Sequence, residues 1–158
     1  MNSKETPTEI SRRHVIVLVG AAAAAATVGM LPRVSLADKA AMDKAIAKAT
    51  GGAATEEGRI TLDLPQIAEN GNTVPISVEV DSPMTDGDYV KTVHIFAEAN
   101  PRPEVCSIHF TPASGIAKAS TRMRLIKTQN IVAVAEMSDG SFHRETVEVK
   151  VTIGGCGG

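Results

Sequence analysis

The chain has 158 residues, with 16 Lys and Arg against 18 Asp and Glu, three Phe, one Tyr and no Trp. A near-neutral charge without a basic cluster or aromatic surface excludes a nucleic-acid platform, which needs cations and stacking faces. Two cysteines, Cys106 and Cys156, are too few for a disulfide-built scaffold, so an apolar core must carry the fold.

At the N-terminus, Ser11-Arg12-Arg13-His14 precedes an apolar run from Val15 to Met30, and Ser35-Leu36-Ala37 puts small residues at −3 and −1 before Asp38. These are the n-region, h-region and cleavage site of an export signal. The run falls short of the roughly 20 residues a membrane helix needs. Residues 1–37 therefore read as a twin-arginine signal peptide, with a Sec signal as the alternative because Val15 stands where Phe is usual. The expectation is a periplasmic protein, exported by the twin-arginine route, with no membrane segment once the signal is removed. Four basic and two acidic residues lie in the signal. The remaining 121 residues carry 12 basic and 16 acidic side chains, a net charge of −4.

From Asp38 to Thr50, Met42, Ala45, Ile46 and Ala49 recur at helical spacing, and Gly51-Gly52 can end the helix. Seven strands then follow, separated by turn residues: Ile60 to Leu64, Val74 to Val80, Val90 to Ala99, Val105 to Phe110, Ala117 to Lys127, Ile131 to Met137 and Phe142 to Ile153. Asn70-Gly71-Asn72 and Ser138-Asp139-Gly140 are turn signals. The fold class is all-β, an immunoglobulin-like antiparallel sandwich of about seven strands with a short N-terminal helix, spanning 38–153. Ile131-Val132-Ala133-Val134-Ala135 is apolar on both faces, so its outer face must be covered either by the helix or by a protein partner.

Gly154-Gly155-Cys156-Gly157-Gly158 puts one thiol among four glycines at the extreme C-terminus. No apolar side chain there offsets the entropy of ordering the backbone. Residues 154–158 therefore read as a flexible arm, with Gly154, Gly155, Gly157 and Gly158 giving freedom and slenderness to Cys156. A thiol of pKa near 8.5 is only about 3% ionised at neutral pH, and no neighbour in sequence would activate it. Cys156 is thus a thiol presented to another protein's site. Cys106, sharing a strand face with Ile108 and Phe110, reads as a buried, inert core cysteine. His94, His109 and His143 have no metal-ligand spacing, and no catalytic grouping stands out. The chain is expected to be no enzyme, with no metal and no cofactor. Twin-arginine export, which carries folded proteins, then points to a co-exported partner.

The terminal Gly-Gly-Cys-Gly-Gly, the signal and the strand pattern resemble the SoxY family, sulfur-carrier subunits of the periplasmic sulfur-oxidising (Sox) system of bacteria. The resemblance extends over Val80-Asp81-Ser82-Pro83-Met84, the stretch from His109 to Gly115, Lys127-Thr128-Gln129-Asn130 and the stretch from Val134 to Ser141. It implies covalent attachment of thiosulfate to Cys156, a heterodimer with a SoxZ-like subunit, and transient docking with three Sox enzymes. One is a c-type haem enzyme, one a manganese-dependent hydrolase and one a molybdenum/haem dehydrogenase. Two other classes remain open on the residues alone. One is a ubiquitin-like carrier with a thiocarboxylate on Gly158, against which export away from ATP argues. The other is a structural module whose tail cysteine crosslinks chains.

Overall fold

Apolar residues that alternate along a strand force one side of each sheet inward, and two such sheets bury their inner sides against each other. A computed structural model of the protein describes residues 36–155, with side chains from Lys39 onward. The expected signal, apart from its last two residues, and Cys156, Gly157 and Gly158 lie outside the described residues.

In chain order the elements are α1 (Leu36–Thr50), β1 (Glu56–Glu57), β2 (Ile60–Asp63), β3 (Ile67–Asn70), β4 (Val74–Val80), β5 (Val90–Ala97), β6 (Glu104–His109), a one-turn 3-10 helix (Pro112–Ser114), β7 (Ala117–Met123), β8 (Gln129–Met137) and β9 (Phe142–Ile153). One sheet runs β1-β9-β8-β5-β6, with β3 also paired to β9, and the other runs β2-β4-β7. The principal pairings are antiparallel, as the immunoglobulin-like reading requires. Two of the nine strands were not foreseen. β1 and β3 both lie parallel to β9, one along its start and the other along its end.

Between the sheets, Val74, Ile76, Val78 and Val80 face Val93, Ile95, Ile131, Ala133 and Ala135 in one aliphatic core. Fully burying such a side chain contributes roughly 1.5–3 kcal/mol. The Ser138-Asp139-Gly140 turn closes the β8–β9 hairpin: the Met137 amide donates to the Ser141 carbonyl at 2.9 Å, and Gly140 takes φ 85°.

The doubly apolar strand β8 has a local explanation. Its inner residues belong to the inter-sheet core, while Val132 and Val134 sit under α1 with Phe96 and Phe142. Met42 and Ile46 cover them, flanked by Ala45 and Ala49, the four positions that the helical spacing singled out. The alternative of a protein partner on this face is set aside, because the chain's own helix fills it. Gly51 and Gly52 take φ 64° and 83°, and the Gly52 amide closes the helix end on the Ala47 carbonyl at 2.8 Å.

Candidate functional site: the root of the C-terminal arm

The strand ending at Ile153 does not simply run out into solvent. β3 runs beside the end of β9, pairing Ile67 with Lys150 and Asn70 with Ile153. The following turn brings Gly71 against the chain. Its amide donates to the Ile153 carbonyl at 2.8 Å, and its carbonyl accepts from the Leu125 amide at 2.8 Å. The Leu125 carbonyl in turn accepts from the Gly155 amide at 2.9 Å. Three segments distant in sequence meet here, backbone to backbone.

Only glycine fits such an approach. A Cβ on Gly71 would collide with the Leu125 carbonyl oxygen and lie 2.7 Å from the Gly155 nitrogen. On Gly154 it would collide with the Ile126 carbonyl oxygen, and on Gly155 it would lie 2.7 Å from Arg124 Cγ and 2.9 Å from the Gly71 oxygen. Gly155 is buried. Gly155 is held by its hydrogen bond, and at Gly154 and Gly155 backbone lies where a side chain would stand.

Leu125 explains why β7 stops at Met123 instead of continuing to Lys127. Its side chain is fully buried in the inter-sheet core, which pulls the chain out of the sheet and turns its amide and carbonyl toward Gly71 and Gly155. Nothing in the local sequence marks this. Asn70-Gly71-Asn72 reads as a turn, and the partner segment lies more than fifty residues away.

The other candidate residues stand apart from this root. Cys106 is half-buried, not sealed in the core, because β6 is an edge strand. A bulge in its pairing with β5, between Ile95 and Phe96, lets consecutive Val105 and Cys106 both pack on the core. Burial nevertheless pushes the Cys106 thiol above its ordinary pKa, which favours the unreactive protonated form. Alkylation of the native protein is therefore expected to label Cys156 well before Cys106, with the two rates converging in denaturant. Mass spectrometry of the peptides would show this, and equal native rates would contradict the shielding. Cys106→Ala should cost about 1 kcal/mol or less.

His94 Nδ1 lies 2.7 Å from Ser107 Oγ, and His109 Nδ1 lies 3.0 Å from Thr92 Oγ1. Burial holds the His94 imidazole below its ordinary pKa, against an opposing pull from Glu136. His143 is buried, with Nδ1 unpartnered. Among the described residues no three His, Cys, Asp or Glu side chains are grouped to hold a metal, and no helix is long and apolar enough to cross a membrane.

Comparison with known proteins decides the relationship. The family model "Sulfur oxidation protein SoxY" matches residues 46–156. The chain belongs to the SoxY family. Among solved structures it is similar to the sulfur carrier protein SoxY from Chlorobium limicola f thiosulfatophilum, at 36% identity and a TM-score of 0.62, over 72% of this chain and 94% of that one. It also resembles a superoxide reductase (neelaredoxin) from Ignicoccus hospitalis, at 17% identity and a TM-score of 0.54, over 68% and 86% of the two chains. At that identity the likeness is one of fold alone. No curated protein matches the sequence. As a SoxY protein, the chain has the two-sheet architecture that its strand pattern indicates, and the family match runs through the arm root to Cys156.

Proposed function

We propose that this SoxY protein is a covalent sulfur carrier that holds thiosulfate-derived groups on Cys156 and presents them to partner enzymes. Thiosulfate's outer sulfur bonds to the Cys156 sulfur as the thiol proton and two electrons leave, the electrons passing to a haem-containing partner. Water then cleaves the bond to the sulfonate group at a manganese-dependent partner, releasing sulfate and leaving one sulfane sulfur on the cysteine. A molybdenum/haem dehydrogenase, where present, oxidises that sulfur. The chain itself contributes the thiol and its placement, not catalysis.

The observation that carries this reading is the family match extending to Cys156, on a chain whose other cysteine is held protonated by burial. A SoxZ-like subunit is the expected stable partner, seated away from the β8 face that α1 occupies. The twin-arginine signal read in residues 1–37 supports the periplasm as the place of this work.

Intact-mass measurement of the protein from the periplasm of thiosulfate-grown cells tests the reading. The expected species starts at or near Asp38 and carries additions of sulfur or thiosulfonate that map to Cys156. Additions on the Gly158 carboxylate would indicate the thiocarboxylate chemistry. A stoichiometric disulfide dimer with no sulfur additions would indicate a crosslinking module.

A further inference from the structure

The loop that receives Gly155 is itself braced by two amide side chains. Asn100 Nδ2 donates to the Arg124 carbonyl at 2.8 Å, and Asn100 Oδ1 accepts from the Ile126 amide at 3.3 Å. Gln129 Nε2 donates to Asn100 Oδ1 and to the Lys127 carbonyl, each at 3.1 Å, while Gln129 Oε1 accepts from the Ala99 amide at 2.7 Å. Gln129 is 5% exposed. Its amide is thus satisfied on both ends inside the protein, which fixes its orientation. The two side chains bond to the backbone of Arg124, Ile126 and Lys127, on both sides of the one residue, Leu125, that reaches Gly71 and Gly155. Leu125 is pinned from below by its buried side chain and from both flanks by Asn100 and Gln129.

We propose that Gly71, Leu125 and Gly155 form a backbone clamp on the root of the arm, with Asn100 and Gln129 as its positioning residues, so that the chain is fixed up to the residue before Cys156. With Cys156 as the carrier thiol, the reading proposed above, the clamp brings the fixed part of the chain to the residue next to the thiol. The Cys156 α-carbon then stands one peptide unit, about 3.8 Å, from a fixed atom of the domain. A free arm starting at Ile153 would instead spread the thiol over a sphere roughly 10 Å in radius. Fixing the root removes backbone entropy before any partner docks, so less must be lost on docking. The glycines on the two sides of the thiol then have different tasks. Gly154 and Gly155 admit close packing, and Gly157 and Gly158 keep the far side slender.

Amide hydrogen exchange on the full mature protein tests the clamp without reference to sulfur chemistry. The Gly155 and Leu125 amides should exchange at least about tenfold more slowly than a free chain, as expected for hydrogen bonds released only by local opening. Gly71→Ala should erase that protection while the Val132 and Val134 amides of β8 keep theirs. Asn100→Ala should weaken it, and Asn100→Asp, which sets a carboxylate oxygen against the Arg124 carbonyl where an amide donor stood, should not restore it. In partner-enzyme assays the clamp variants should show a KM for the carrier raised about tenfold, with kcat little changed, because the ordering entropy returns to the docking step. Reaction of Cys156 with a small alkylating agent should stay within about twofold of the parent. Free-chain exchange at Gly155 in the parent protein would overturn the clamp, as would a folded Gly71→Ala or Asn100→Ala variant with undiminished protection. An unchanged KM in a variant that has lost protection would overturn the positioning role.

Discussion

Val134→Lys should leave no folded domain. Val134 has no exposed surface and lies beneath Met42 and Ile46 of α1, beside Phe96, Val132 and Phe142. An ammonium there would be buried among apolar side chains, a penalty of several kcal/mol. The lost apolar contacts add to it, and overpacking under the helix adds more. Typical domains hold only about 5–15 kcal/mol in total. Met42→Ala on the covering helix is the graded counterpart: a fall of about 2–4 kcal/mol, with the fold retained. Denaturant melts followed by circular dichroism would read both. A Val134→Lys protein that folds with an unchanged midpoint would mean that α1 does not cover this face.

That face illustrates what the sequence could disclose. The positions Met42, Ala45, Ile46 and Ala49 form a helical stripe, and Val132 and Val134 are apolar where an exposed strand face should be polar. Each half of the contact is periodic, so each is legible, but nothing in either half states that they meet. The longer strands were recovered for the same reason. β1 and β3 escaped notice because Glu56–Glu57 and Ile67–Asn70 carry little alternation. Their places come from parallel pairing with β9, some eighty residues away. Cys106 shows the limit of alternation itself. The pattern assigns a face, but it does not distinguish a central strand from the edge strand β6, where the same face is only half covered.

The arm root was the least legible part, for a reason specific to glycine. Missing Cβ atoms serve freedom in one setting and close backbone approach in another, and the letters are identical in both. At Gly154 and Gly155 the second use holds, and it depends on Leu125 leaving β7 to enter the core. The motif Lys127-Thr128-Gln129-Asn130 belongs to the same bracing. Gln129 fixes the loop, and Thr128 Oγ1 accepts from the Val151 amide at 2.9 Å near the end of β9.

Cys156→Ser should abolish thiosulfate-dependent turnover while leaving melting behaviour unchanged. Among the described residues the contacts that hold the root end at Gly155, and the substitution exchanges a single side-chain atom. Chemically the change is complete. A serine hydroxyl is far less ionised than a thiol at neutral pH, and oxygen cannot form the sulfur–sulfur bond that the proposed attachment of thiosulfate requires. The loss should therefore reach the assay floor, with no sulfur or thiosulfonate additions in the intact mass. Cys106→Ala should retain near-parental turnover, since partial burial disfavours the thiolate of Cys106. The pair of variants separates the two sulfurs without disturbing the fold of either protein. Turnover comparable to the parent in Cys156→Ser would mean that sulfur rides elsewhere on the chain. Loss in Cys106→Ala alone would move the attachment point to the edge strand.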